Sequence, residues 1–240
     1  MKEVSAQEFY DKIADKYEKE YKTRTDIAED RFIMELLNIK DGSNVMDLGC
    51  GTGMFLEYHK KYHMYFGIDI SGNMIKIAEK KFGKRDFPNI TLFETMGIEN
   101  VNVFEDNFYD YIISLFGSMS YIENIKEILE VAYHKLCKRG KIFTMVYSKG
   151  YQSRVRSHNI NGGYHIKNVR GYSRMELEGI IRELGFKNYK ISGFRAIDEK
   201  YIEQIGKENV IEALIKWEYE TVGKGAPDLC HFIIVEIRKE

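Results

Sequence analysis

At 240 residues, with 44% hydrophobic and 30% charged side chains, the chain is long enough for one large domain and short for two independent ones. A formal net charge of −1 gives no global reason to expect nucleic acid or an anionic membrane as partner. Cys50, Cys137 and Cys230 stand far apart without CxxC spacing, which excludes a zinc ribbon or a disulfide framework; with no apolar leader or span-length run, the cytoplasm is the expected location.

Ser5-x-x-Glu8 reads as a capping box opening a helix over 6–22, with Tyr10, Ile13, Ala14, Tyr17 and Tyr21 along one face. A second helix covers 27–38. A strand at 44–48, a glycine-rich turn and a helix at 52–61 follow, then a strand at 65–70 and a helix at 73–82. Further strands are expected at 90–94 and 109–114. Ser120-x-x-Glu123 predicts the cap of a helix carrying Ile125, Ile128, Leu129, Ala132 and Leu136 on one stripe. A strand at 141–147, a helix from Ser173 to Leu184, a strand at 189–194, a helix near 207–221 and a strand at 230–237 complete the chain. This alternation predicts an α/β fold: a doubly wound, mostly parallel seven-stranded sheet with an antiparallel edge strand and a small cap. Residues 1–240 are expected to form a single domain. Helices within 1–40 would cap the site, 148–172 would form a lid, and 195–228 would be a helical excursion before the last strand.

The most informative stretch is Asp47-Leu48-Gly49-Cys50-Gly51-Thr52-Gly53. Three glycines between a strand and a helix let a ligand approach the backbone without Cβ obstruction, and the free N–H groups beyond them favour an anion. One strand later, Gly67-Ile68-Asp69-Ile70-Ser71 puts Asp69 at a carboxyl end, where an acid can accept hydrogen bonds from both ribose hydroxyls. The residues predict a nucleoside cofactor at the switch point of the sheet. The spacing is G-x-G-x-G, not the dinucleotide G-x-G-x-x-G, and no G-x-x-x-x-G-K-[ST] is present.

These stretches resemble the first and second motifs of class I S-adenosylmethionine-dependent methyltransferases, of the small-molecule type. Phe9–Tyr17 is similar to the lead-in helix of many members, and Tyr172–Phe186 to their late helix and strand, so the likeness spans roughly 8–195. It implies S-adenosyl-L-methionine as cofactor and S-adenosyl-L-homocysteine as product. It also implies that Gly49, Cys50, Gly51 and Gly53 hold the methionine and sulfonium end, with Asp47 ordering the turn. Asp69 would bind the ribose, Ile70 and Met74 would lie against the adenine, and Leu115 and Phe116 beside the transferring methyl. Thr95, Met96 and Gly97 fall where the family often has an acid beside the adenine amino group; here no acid stands, and Glu94 and Glu99 are the nearest.

For the acceptor, Ser114-Leu115-Phe116-Gly117-Ser118 lacks the prolines of base-amino methyltransferases, and no cysteine follows a proline as a carbon-5 nucleophile would. From Ser148 to Met175 there is no Asp or Glu, while Lys149, Arg154, Arg156, Lys167, Arg170 and Arg174 are all basic. Arg154, Arg156 and Arg170 are candidates to clamp a phosphate or carboxylate. The expected acceptor is therefore an O or N atom of a small, anionic metabolite. One alternative is RNA or protein docked on 148–175; another is a non-catalytic cofactor-binding protein. Tyr10, Tyr17, Tyr147 and Tyr172 are substrate-binding candidates, and His158, His165, His231 and Tyr17 are candidate bases. No metal is expected.

Overall fold

Why a crevice opens in the middle of this sheet follows from strand order. The computed structural model describes residues 2–83, 89–151 and 164–240, with Tyr164 and His165 as backbone alone. The strands are β1 (Lys2–Val4), β2 (Ser43–Leu48), β3 (Tyr62–Asp69), β4 (Ile90–Thr95), β5 (Tyr109–Ser114), β6 (Leu136–Tyr147), β7 (Tyr164–Ile166), β8 (Tyr189–Phe194) and β9 (Phe232–Arg238). Seven of them form one sheet in the order β4-β3-β2-β5-β6-β9-β8, and β1 pairs with β7 in a small parallel ribbon. β2 pairs in parallel with β3 on one side and β5 on the other, so the chain order reverses at β2. Loops leaving the carboxyl ends there diverge to opposite faces and leave a gap between them. The antiparallel strand is β9, which lies one position in from the edge and pairs with both β6 and β8.

The helices are α1 (Ala6–Glu20), α2 (Arg24–Leu37), α3 (Phe55–Tyr58), α4 (Gly72–Phe82), α5 (Ile125–Lys135), α6 (Arg174–Glu183), α7 (Glu199–Glu203) and α8 (Glu208–Glu218). Successive strand residues point to opposite faces, so Val45 and Met46 belong to two different cores. Met46, Ile112 and Ile142 pack with Ile128 and Leu129 of α5 and Leu177 and Ile181 of α6. Val45, Ile113 and Phe143 pack with Ile33 and Leu37 of α2 and Ile211 and Ile215 of α8. Among the described residues no helix is long and apolar enough to cross a membrane.

Local differences from the expected elements have physical causes. α3 is one turn long instead of 52–61, because Gly51 and Gly53 take φ of 55° and 78° and keep the preceding residues in turns. Ser120 does not cap α5. Its hydroxyl accepts from the Tyr147 N–H at 2.7 Å, and Asn124 caps the helix by accepting from Glu127 N–H at 3.3 Å. The boxes at Ser5 and Ser173 do form. Of the expected lid, residues 152–163 lie outside the described residues.

Candidate functional site

β2 delivers the chain into a turn that only glycine tolerates at its first position. Gly49 has φ of 87°, and a Cβ there would overlap Ser118 Cβ and Oγ. Gly49 and Cys50 both donate to Ile68 O, at 2.8 and 2.9 Å, tying the turn to the neighbouring strand. A Cβ at Gly51 would meet nothing within 4 Å, so this position faces open space. Gly49→Ala combines a left-handed backbone with overlap at Ser118. It is expected to destabilise the protein by about 1–3 kcal/mol, read as a lower midpoint in chemical denaturation. An unchanged midpoint would mean that the turn relaxes freely.

Asp69, at the end of β3, is the fastening point of the turn. Its Oδ2 accepts from Gly51 N–H at 2.9 Å and its Oδ1 from Ser71 N–H at 2.8 Å. Burial pushes the carboxyl above its usual range against these two donors. Each oxygen retains lone-pair capacity toward the cavity, which fits a pair of ribose hydroxyls. Asp11, which the sequence reading did not single out, docks α1 here: its Oδ1 accepts from Ser71 Oγ at 2.6 Å and Asn73 N–H at 3.1 Å. Asp47 lies behind the turn, buried, accepting from the Tyr65 hydroxyl at 2.7 Å.

These residues open onto a cavity of about 1210 Å³. Asp47, Gly49, Cys50, Gly51 and Asp69 line it, with Ile70, Met74, Gly97, Leu115 and Phe116. Glu99 also lines it, supplying an acid beyond Gly97, whereas Gly53, Thr95 and Met96 do not. Gly53 faces Phe82 and Ala78, and the Met96 N–H donates to Asp69 O at 2.9 Å. Phe116 has φ of 51° and is followed by Gly117 at 94°, a strained corner beneath the Tyr147 ring.

A second wall is aromatic. The Tyr10 and Tyr121 hydroxyls are 3.0 Å apart, and the rings of Tyr17 and Tyr21 lie 4.7 Å apart. Tyr147 stacks on His231 and Phe232 at 5.6 and 5.4 Å. Tyr10, Tyr17, Tyr147 and His231 all line the cavity. Burial raises the hydroxyls of Tyr10, Tyr17 and Tyr147, so at neutral pH they are hydrogen-bonding groups and not phenolates. Arg170 and Tyr172 do not line it: Arg170 sits over the Tyr172 ring at 4.8 Å, and Tyr172 is fully buried. His165 is seen as backbone in β7, and Arg154, Arg156 and His158 lie outside the described residues.

The third wall was not legible beforehand. Asp26, Glu29, Asp30, Ile33 and Met34 of α2 line the cavity from one helical face. Arg195, at the end of β8, grips Glu29 with two nitrogens, Nε to Oε1 at 2.9 Å and Nη2 to Oε2. Asp26 at 3.5 Å and Glu199 at 3.8 Å complete its partners. Among the described residues no group of three or more His, Cys, Asp or Glu could hold a metal ion.

Burial lifts Asp30 and Asp47 from 3.8 to about 7. A carboxyl with a higher pKa folded than unfolded binds its proton more tightly in the fold. The stability contributed by the neutral form is complete below the unfolded value and is lost as pH rises through about 7. The midpoint of thermal unfolding of the ligand-free protein is therefore expected to fall between about pH 5 and about pH 8. A rising midpoint over that range would contradict the burial of these two acids.

A reversing parallel sheet with a glycine turn and a fastened acid at the reversal defines a class I, Rossmann-like methyltransferase fold. A family model described as a methyltransferase domain matches residues 17–191, and the chain belongs to that family of S-adenosylmethionine-dependent enzymes. An uncharacterised protein of Methanocaldococcus jannaschii is 28% identical over 88% of this chain and 78% of its own. The demethylmenaquinone methyltransferase of Anoxybacillus flavithermus is 28% identical over 55% of this chain and 59% of its own. A Thermotoga maritima structure described as a SAM-dependent methyltransferase, possibly for histamine N-methylation, superposes with a TM-score of 0.66. It is 17% identical over 98% of this chain and 99% of that one.

Proposed function

We propose that this enzyme moves the methyl group of S-adenosylmethionine to an O or N atom of a small metabolite in the cytoplasm. The observation that carries this reading is the continuity of one cavity from the glycine turn and Asp69 to the tyrosine wall. Its volume of about 1210 Å³ exceeds the roughly 300–1,000 Å³ of an ordinary single-ligand pocket, leaving space for two molecules side by side. The residues fit the cofactor. Gly51 leaves its backbone open, Asp69 presents a prefixed carboxylate, and Met74 and Ile70 offer apolar surface beside it.

The cofactor supplies a methyl group already activated on a sulfonium, so the protein's part is mainly positioning and exclusion of water. Leu115, Phe116 and the tyrosines provide a largely apolar, aromatic chamber for an in-line approach. His231, held between the Tyr151 and Phe232 rings, is the described imidazole closest to this role as a base.

An anionic acceptor rests on Arg154 and Arg156, outside the described residues, and on Arg170, which faces Glu176 at 4.0 Å. The docking alternative draws on a basic stretch whose described members face acids: Lys149 pairs with Glu176, Lys167 with Glu3 and Arg174 with Glu178. That pairing favours the small-molecule reading over a nucleic-acid face. Calorimetric titration tests the reading. S-adenosylhomocysteine should bind in the micromolar range or tighter, and NAD and ATP should not compete. Binding of NAD or ATP in its place would overturn it.

A further inference from the structure

We propose that the α2 wall of the cavity is a seat for a cationic nitrogen, so that the acceptor carries a protonated amine or a quaternary ammonium held by Asp30. This deepens the proposed methyl transfer and rests on it. Around Arg195 stand Asp26, Glu29, Asp30 and Glu199, four carboxyl groups against one guanidinium. Three of the four lie within 4 Å of that cation. Asp30 feels it only from farther off: among the described residues no Lys or Arg comes within ion-pair distance of its carboxyl.

Asp30 is 9% exposed and lines the cavity, and its Oδ2 has no hydrogen-bond partner. A buried carboxylate whose cation lies beyond ion-pair distance is costly, and a ligand cation beside it would offset that cost. Its surroundings suit a cation and repel an anion. Asp26 and Glu29 add negative potential on the same helical face, and the Tyr58 hydroxyl approaches the carboxyl from α3. Tyr17 and Tyr21, also in the lining, offer π faces to an ammonium. Tyr17, Asp30 and Asp69 line the same cavity, so the cation seat and the cofactor seat open onto one space.

The test uses the full chain saturated with S-adenosylhomocysteine and three probe pairs of matched shape: tyramine with 4-ethylphenol, tryptamine with 3-ethylindole, and choline with 3,3-dimethylbutan-1-ol. Calorimetry should show at least one cationic member binding about tenfold or more tighter than its neutral partner. Asp30→Asn should reduce that preference to about threefold or less. The affinity for S-adenosylhomocysteine should stay unchanged, and the unfolding midpoint should be equal or higher because a buried charge is gone. Asp30→Ser, smaller and equally uncharged, should give the same loss.

Absence of any preference for the cation in wild type, or its survival in both variants, would overturn the proposal. So would a matching loss of S-adenosylhomocysteine binding in both variants, which would assign Asp30 to the cofactor. If wild type fails to bind S-adenosylhomocysteine at all, the methyl-transfer reading itself falls. If it binds without cation preference, only the seat does.

Discussion

Asp69→Ala is expected to weaken S-adenosylmethionine binding by at least about tenfold, close to 1.4 kcal/mol, since hydrogen bonds to charged groups contribute about 1.5–3 kcal/mol each. The loss has two sources. In the proposed cofactor site the ribose hydroxyls would lose their acceptor, and the Gly51 and Ser71 N–H groups lose the carboxylate that holds the turn to the start of α4. Asp69→Asn separates them. The amide keeps the shape and one acceptor oxygen, but its nitrogen opposes a backbone N–H, so an intermediate affinity is expected. Titration calorimetry reads both variants, and unchanged affinity in Asp69→Ala would remove the residue from the site.

Arg195→Ala is expected to cost about 3–5 kcal/mol of stability, the usual penalty for stripping one partner from a buried ion pair. Glu29 has a side chain 1% exposed and Arg195 one 14% exposed, so neither charge is well served by water. Without the guanidinium, Asp26 and Glu199 also lose their shared cation. At about 2–4 °C per kcal/mol for a chain of this size, the unfolding midpoint should drop by roughly 6–20 °C. Arg195→Met combined with Glu29→Leu should recover part of the loss, because Glu29 is no longer an orphaned charge, while Asp26 and Glu199 remain without their cation. A loss below about 1 kcal/mol in Arg195→Ala would mean that Glu29 is satisfied by other groups.

The part of the site that was legible in the sequence is the part built from contiguous residues. Gly49, Gly51 and Asp69 announce themselves because a turn, a switch point and an acid one strand later are all local patterns. Tyr10 and Tyr17 were legible as a helical stripe, and they meet Tyr147 in one cavity because α1 docks through Asp11 at the start of α4. The acidic wall was not legible, because its parts come from α2 and from the end of β8, far apart along the chain. The available signal was three acids sharing one face of α2 with Ile33 and Met34, an inward charge on an amphipathic helix. Ser120 misled for a related reason: its hydroxyl serves the distant Tyr147 N–H and not the next helix. Arg170 and Tyr172 sit in the expected stretch, yet facing is decided by packing of Tyr172 into the core beside α6.

The most direct measurement is transfer of labelled methyl from S-adenosylmethionine into a lysate separated into metabolite, RNA and protein fractions. The expected result is label in the metabolite fraction, lost in Asp69→Ala and retained by molecules that bind a cation exchanger. Label confined to RNA or protein, or no transfer by a protein that binds the cofactor, would contradict it.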